Sequence, residues 1–204
     1  MKELQVKITF TEEVLGTASA NKQLHETYIS SKAPDAKKID EEIEALGVDA
    51  VVDNGMTVFP RIEEDGEDVP MFWDYQIKGF FKDAAGMLRK VSGTKSSKIK
   101  AYKKFIDGLL FISPRKIPVS LSGPMGECQR PLRAQTPLGE RIAIAHSETI
   151  PAGSSIIITI NVLDDSLVPA IMEWLAYGAL RGIGQWRNSG KGRFTYEVLS
   201  HEVL

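Results

Sequence analysis

Residues 155–199 read SIIITINVLDDSLVPAIMEWLAYGALRGIGQWRNSGKGRFTYEVL, and they hold a strand, a helix, a glycine-rich loop and a second strand in that order. IIITINVL is the clearest strand signal in the chain. Residues 167–180 predict a helix with Pro169 in its first turn, where a missing N–H costs nothing. Residues 193–199, RFTYEVL, predict the final strand. Working outward, residues 4–10 alternate Leu4, Val6, Ile8 and Phe10 on one face, the pattern of a half-buried strand. Residues 73–91 predict a helix with an apolar stripe of Ile77, Phe80, Phe81, Ala84, Ala85 and Leu88. Gly79 and Gly86 weaken that helix and can mark close packing. Residues 98–106 predict a short basic helix, 109–112 a strand and 141–150 a strand that meets the next across Pro151-Ala152-Gly153.

Stripped of insertions, the order is β-α-β-β-α-β. That is the ferredoxin-like α+β arrangement, an antiparallel four-stranded sheet with two helices on one face, shared by RNA-recognition modules. The expectation is one domain over residues 1–204 with two elaborations. The first is an acidic helical insertion at about 30–55, whose helix spans 34–46. The second is a proline-rich segment at about 113–140, read as irregular chain, a protruding loop or loose hairpin. Short strands are expected at 56–61, with a hairpin tip at 63–68 turning on Asp65-Gly66.

Composition narrows the function. The 204 residues carry a formal net charge of −2, one cysteine (Cys128) and three scattered histidines (His25, His146, His201). One cysteine supports neither a disulfide framework nor a cysteine zinc cluster, and no metal-ligand spacing is present. No cofactor is expected. No apolar run reaches the roughly 18 residues of a membrane span, and the first residues lack a long apolar stretch, so a soluble cytoplasmic protein without membrane partners is expected. Charge is uneven: residues 1–70 hold 7 basic and 16 acidic side chains (−9), 71–134 hold 13 and 4 (+9), and 135–204 hold 5 and 7 (−2). Either the basic segment faces a polyanion, or the two segments neutralise each other in space.

The loop 178–194 interleaves five glycines (Gly178, Gly182, Gly184, Gly190, Gly192) with Arg181, Arg187, Lys191, Arg193 and Trp186. A P-loop needs Gly, four residues, then Gly-Lys-Ser/Thr; here five residues separate Gly184 from Gly190, and Lys191 precedes Gly192. The dinucleotide fingerprint needs a glycine where Arg187 stands, followed by a helix. Two readings remain. Glycines let backbone approach a ligand, arginines bind phosphate and Trp186 stacks on a base, which makes a single-strand RNA clamp. Alternatively the loop is a packing device between helix and sheet.

The segment GIGQWRNSGKGRF, placed after a helix and before the last strand, resembles the glycine-rich loop of the RAMP superfamily of CRISPR-associated proteins. Three further segments resemble that family in the expected order: LQVKITFTEEVLGTASAN its opening strand and small-residue loop, MFWDYQIKGFFKDAAGML its Ile-Lys-Gly helix start, and ETIPAGSSIIITINVL the turn and strand before its last helix. The resemblance is closest to the RNA-binding backbone-subunit branch. It implies a non-catalytic subunit that oligomerises along single-stranded, guide-like RNA in a ribonucleoprotein complex of antiviral defence, with copies of itself head-to-tail and other subunits as partners. It also implies phosphate contacts near Lys78 and Lys82, further contacts near Arg187, Lys191 and Arg193, and a thumb-like role for 113–138. The chain departs from the family where Trp73-Asp74-Tyr75-Gln76 replaces its Pro-Gly-Ser-Ser, and where residues 16–28 offer Glu26 but no aspartate.

The candidate RNA-binding set is therefore Lys78, Lys82, Lys98, Lys103, Arg115, Arg130, Arg133, Arg181, Trp186, Arg187, Lys191 and Arg193, with Gly182, Gly184, Gly190 and Gly192 shaping the loop. Trp73 and Trp174 are expected on helices in the core, Cys128 is read as structural, and His146 is expected to face away from Ile142 and Ile144. His201 is expected near a frayed terminus. Two rival readings stand: a metal-independent endoribonuclease using His25 with Tyr28 or Lys22, and a protein-interaction decoy or inhibitor of a nucleoprotein complex.

Overall fold

A computed structural model describes residues 2–20, 56–136 and 139–203, with backbone only for 132–136 and 139–143. The acidic helix expected at 34–46, and His25 with its neighbours Lys22 and Tyr28, lie outside the described residues.

Alternation in the first strand, β1 (Lys2–Phe10), is strict: Leu4, Val6, Ile8 and Phe10 are all at most 3% exposed. Their side chains share one face because strand side chains alternate. β1 pairs antiparallel with β11 (Ser155–Val162) on one side and with β12 (Phe194–Val203) on the other. β7 (Leu110–Ser113) pairs with the far edge of β11. The spatial order β12-β1-β11-β7 is the ferredoxin-like 4-1-3-2 once the insertions are set aside. Two crossover helices, α1 (Asp74–Leu88) and α3 (Val168–Arg181), supply the apolar layer through Ile77, Phe80, Phe81, Ile171, Trp174 and Leu175. A smaller helix, α2 (Tyr102–Leu109), packs on α1. The α+β reading of the sequence is the architecture observed.

On the other face of this sheet the β1 row is polar, while Phe111 of β7, opposite Asn161, stands 48% exposed at the edge. Glu3, Gln5, Lys7 and Thr9 of β1 stand opposite Asn161, Thr159, Ile157 and Ser155 of β11. These rows hold none of the aromatic rings on which an RNA-recognition sheet stacks bases.

Contacts divide the chain into two compact units, Met1–Val14, Pro60–Pro124 and Ile150–Leu204 in the first, and Leu15–Phe59 and Met125–Thr149 in the second. The first also holds a hairpin, β5 (Arg61–Glu64) and β6 (Glu67–Trp73), extended by β8 (Lys116–Pro118). Its tip is the expected Asp-Gly turn, with Asp65 at φ 51° and Gly66 at φ 83°, the paired left-handed residues that match the twist of flanking strands. β6 runs directly into α1, so Trp73 ends a strand and caps the helix. It is not a core helical residue, contrary to the periodicity argument; Trp174 is, at 0% exposure.

In the second unit, β9 (Gly126–Thr136) and β10 (Gly139–Ile150) form a long hairpin, paired from Gly139–Thr136 to Thr149–Gly126. Prolines at 114, 118, 124 and 131 suggest irregular chain. The structure instead puts β8 and β9 there, because Pro118 closes one strand and Pro131 sits in the outer strand of the hairpin, where a missing donor is tolerated. β4 (Thr57–Val58) joins β10 in parallel at Ser147, with Thr57 Oγ1 2.8 Å from Ser147 Oγ, and pairs with β3 (Ala18–Ser19). The unbroken β9–β10 register gives His146 the parity of Ile142 and Ile144. It belongs to the same face of β10, correcting the opposite expectation. His201 is paired with Leu4 in β12.

Candidate nucleic-acid interface

The loop between α3 and β12 is built on a neck of bare backbone. α3 ends at Gly182, φ 74°, whose N–H donates to the Gly178 carbonyl (3.0 Å). The Ile183 N–H donates to the Gly192 carbonyl (2.9 Å), closing the loop on itself. A Cβ on Gly182 would lie 2.5 Å from the Lys191 carbonyl oxygen, and one on Gly192 would overlap the Ile183 carbonyl. Both glycines are fixed by this contact between the loop's own limbs. The Gly192 N–H donates to the Glu13 carbonyl (2.8 Å), and the Arg193 carbonyl accepts from Thr11 N–H (2.8 Å).

Beyond the neck the loop opens to solvent. Arg187–Ser189 form a single 3₁₀ turn between Trp186 (φ 53°) and Gly190 (φ 88°), both left-handed. A left-handed tryptophan is uncommon, and this one is 42% exposed. Arg181, Gly184, Gln185, Trp186, Arg187 and Asn188 line an open cavity of about 360 Å³.

The two arginines of that cavity are held by one carboxylate on α1. Arg181 Nε lies 2.9 Å and Arg187 NH1 2.7 Å from Asp83 Oδ2, and Arg181 NH1 donates to Asn188 Oδ1 at 3.1 Å. Burial by itself would raise the Asp83 pKa; the Arg181 hydrogen bond and the charge of both guanidinium groups outweigh it and hold the carboxyl below its ordinary value. The same hydrogen bond raises Arg181. Two guanidinium groups on one carboxylate leave the cluster with a net charge of +1. Asp83 stands outside the candidate set; its signal in the sequence is a carboxylate amid the basic and apolar residues 77–90.

Several other candidate cations are engaged within the fold. Lys191 is ion-paired with Glu13 and Lys82 with Asp107 (2.6 Å), and the Lys78 ammonium stands 5.0 Å from the Phe111 ring centroid. Lys78 thus reaches toward β7 and Lys82 toward α2. Arg130 is buried at 9% exposure. The Arg133 backbone pairs with Ile142. Lys98, Lys103 and Arg193 are exposed and make no ion pair among the described residues. The Arg193 guanidinium lies over Gly190, where an added Cβ would come within 3.4 Å of Cζ.

A second cluster joins one expected cation, Arg115, to Lys116, Trp73 and Tyr75, which lie outside the candidate set. At the β6–α1 junction the Trp73 and Tyr75 rings stack, with centroids 6.1 Å apart and planes 13° apart, and Arg115 Cζ and Lys116 Nζ each stand 5.9 Å from the Trp73 centroid. The signal present in the sequence is a pair of aromatics two residues apart, together with a cationic Arg-Lys pair.

Elsewhere, His146 Nε2 is 2.9 Å from Glu127 Oε2. Among the described residues no three His, Cys, Asp or Glu side chains converge as a metal site would, and no helix is long and apolar enough to cross a membrane.

The class defined by this fold is the ferredoxin-like α+β protein with a glycine-rich loop before its last strand. Among solved structures, a chain from the cryo-EM structure of the type III-B Cmr-beta complex bound to cognate target RNA is similar, with TM-score 0.52 and 13% identity over 100% of this chain. The present chain spans 60% of that chain's length. A chain of a type IV-B CRISPR complex is similar at TM-score 0.49 and 14% identity, over 97% of this chain and 90% of that one. At such identities the likeness is one of fold. No protein-family model matches the sequence, and no curated protein matches it.

Proposed function

We propose that this protein is a non-catalytic RNA-binding subunit of a ribonucleoprotein complex, a divergent member of the RAMP superfamily that contacts single-stranded RNA through the loop between α3 and β12. One observation carries the reading: the exposed loop presents a tryptophan ring on left-handed backbone and, in Arg193, an arginine without an ion pair among the described residues, on a neck too narrow for any side chain. The fold shared with a chain of an RNA-bound CRISPR complex supports it. Arg181 and Arg187 act as a pre-ordered pair, set by Asp83, that places a net positive charge beneath the strand. Other subunits of the complex, including further copies of this chain, are the proposed protein partners.

The test is an anisotropy titration of labelled oligouridine at about 0.1 M salt, where exposed charges still act over about 10 Å. Arg193→Glu is expected to weaken binding several-fold and lower the salt slope by about one. Trp186→Gly is expected to weaken it at least about fivefold. Unchanged binding in both variants, each with a wild-type circular dichroism spectrum, overturns the reading. An equal affinity for RNA and DNA of one sequence removes the RNA preference, since only RNA offers the 2′-OH.

A further inference from the structure

Trp73 and Tyr75 flank the first residue of α1, and their rings lie nearly parallel in the open: Tyr75 is 58% exposed. Their position is fixed from three directions. The Trp73 N–H donates to Gln76 Oε1 (2.7 Å), closing the start of the helix on its own side chain. The Asp74 N–H donates to the Arg115 carbonyl (3.0 Å). Trp73 is directly paired with Lys116 across β6 and β8. Asp74 places a carboxylate in the first turn, with its Oδ1 accepting the Tyr75 N–H (2.8 Å). The helix N-terminus is therefore a poor anion site, and the local positive charge belongs to Arg115 and Lys116, both exposed.

An exposed aromatic plane beside two cations suits a ligand that joins a flat π-system to a negative charge. A nucleotide within a single strand is such a ligand: its base has a π-face whatever its identity, and its phosphate is always close by. An acidic peptide would use the cations and leave the ring idle; an apolar peptide would do the reverse.

We propose that Trp73, Tyr75, Arg115 and Lys116 form a second single-strand subsite, in which one unpaired base stacks on Tyr75 and its phosphate lies at Arg115 and Lys116. The Trp73 ring backs Tyr75 and holds the stacking plane, while β6 and β8 fix the cations relative to it. This inference rests on the RNA-binding reading above and gives that reading a second contact, separate from the loop in sequence.

The experiment compares full-length variants on labelled oligouridine and on an abasic strand with the same phosphates. Tyr75→Ala is expected to weaken oligouridine binding at least about fivefold and to leave abasic binding unchanged. Tyr75→Phe, which keeps the plane, is expected to stay within about twofold of wild type on both. Arg115→Glu with Lys116→Glu is expected to weaken both strands and flatten the salt dependence. If Tyr75→Ala binds oligouridine like wild type while Trp186→Gly does not, the subsite is wrong and the loop reading stands. If Tyr75→Ala weakens both strands equally, Tyr75 supports the fold rather than a base, and the subsite is wrong. If the wild-type protein binds neither strand, the RNA-binding reading falls and takes the subsite with it.

Discussion

The ring of Phe194 lies against the space that a side chain on Gly178 would fill, and a Cβ there would overlap three of its carbon atoms. Phe194 is also wedged against Phe80 (centroids 5.2 Å) and Phe10 (6.5 Å), so it has nowhere to retreat. Gly178→Ala is therefore expected to destabilise the protein by about 1–3 kcal/mol despite alanine's better helix propensity. Gly79, in α1, is different: a Cβ added there would meet nothing within 4 Å. Gly79→Ala is expected to stabilise by about 0.5–1 kcal/mol. Denaturant melts of the two variants should move in opposite directions.

Asp83 binds Arg181 at the end of α3 and Arg187 in the loop turn. Asp83→Asn is expected to cost about 1–2 kcal/mol at neutral pH by leaving both guanidinium groups under-compensated. Because the folded carboxyl titrates below its ordinary value, its contribution is complete above the unfolded pKa of about 3.9 and disappears as pH falls through the folded value. Wild type and Asp83→Asn should thus differ at pH 7 and converge in acid, as followed by urea melts across that range.

Trp186 occupies a left-handed conformation that glycine adopts freely. Trp186→Gly is expected to change stability by less than about 1 kcal/mol, the lost ring contacts being offset by relief of the backbone, while RNA affinity falls. A large drop in melting temperature would instead make the ring a structural anchor.

Ser96 sits between two partners on α3. Its Oγ donates to Glu173 Oε2 (2.6 Å) and accepts from the buried Trp174 Nε1–H (2.8 Å), while Glu173 also receives the Lys95 and Ser96 N–H groups. Ser96→Ala strands the indole donor at an expected cost of about 1–3 kcal/mol. Adding Trp174→Phe removes that donor, so the double variant should lose less than the sum of the single changes.

The strand and helix order is legible because β1, β11 and α3 repeat their apolar residues at the period of the element they form. Trp73 escapes that logic: the apolar stripe of α1 extends backwards through it, while a strand–helix junction has no periodic signature. Gly79 and Gly86 look alike in sequence, yet only Gly86 meets a neighbour, the Tyr102 hydroxyl, which would stand 3.0 Å from an added Cβ. The loop is recognisable from its glycines and cations, but the partners of those cations are not. Asp83, Glu13 and Asp107 lie 104, 178 and 25 residues from Arg187, Lys191 and Lys82, and such pairing exists only once the sheet has brought distant segments together.

Because the limbs at Gly182 and Gly192 grip one another through main-chain atoms, the outer turn is tied to the body at this neck and at the Arg187–Asp83 pair. Substitutions among Gln185, Trp186, Asn188 and Ser189 leave those main-chain contacts in place. Such an arrangement lets recognition drift while the scaffold stays constant, so variants diversified at these four positions should sample different strand preferences without a new folding problem at each step.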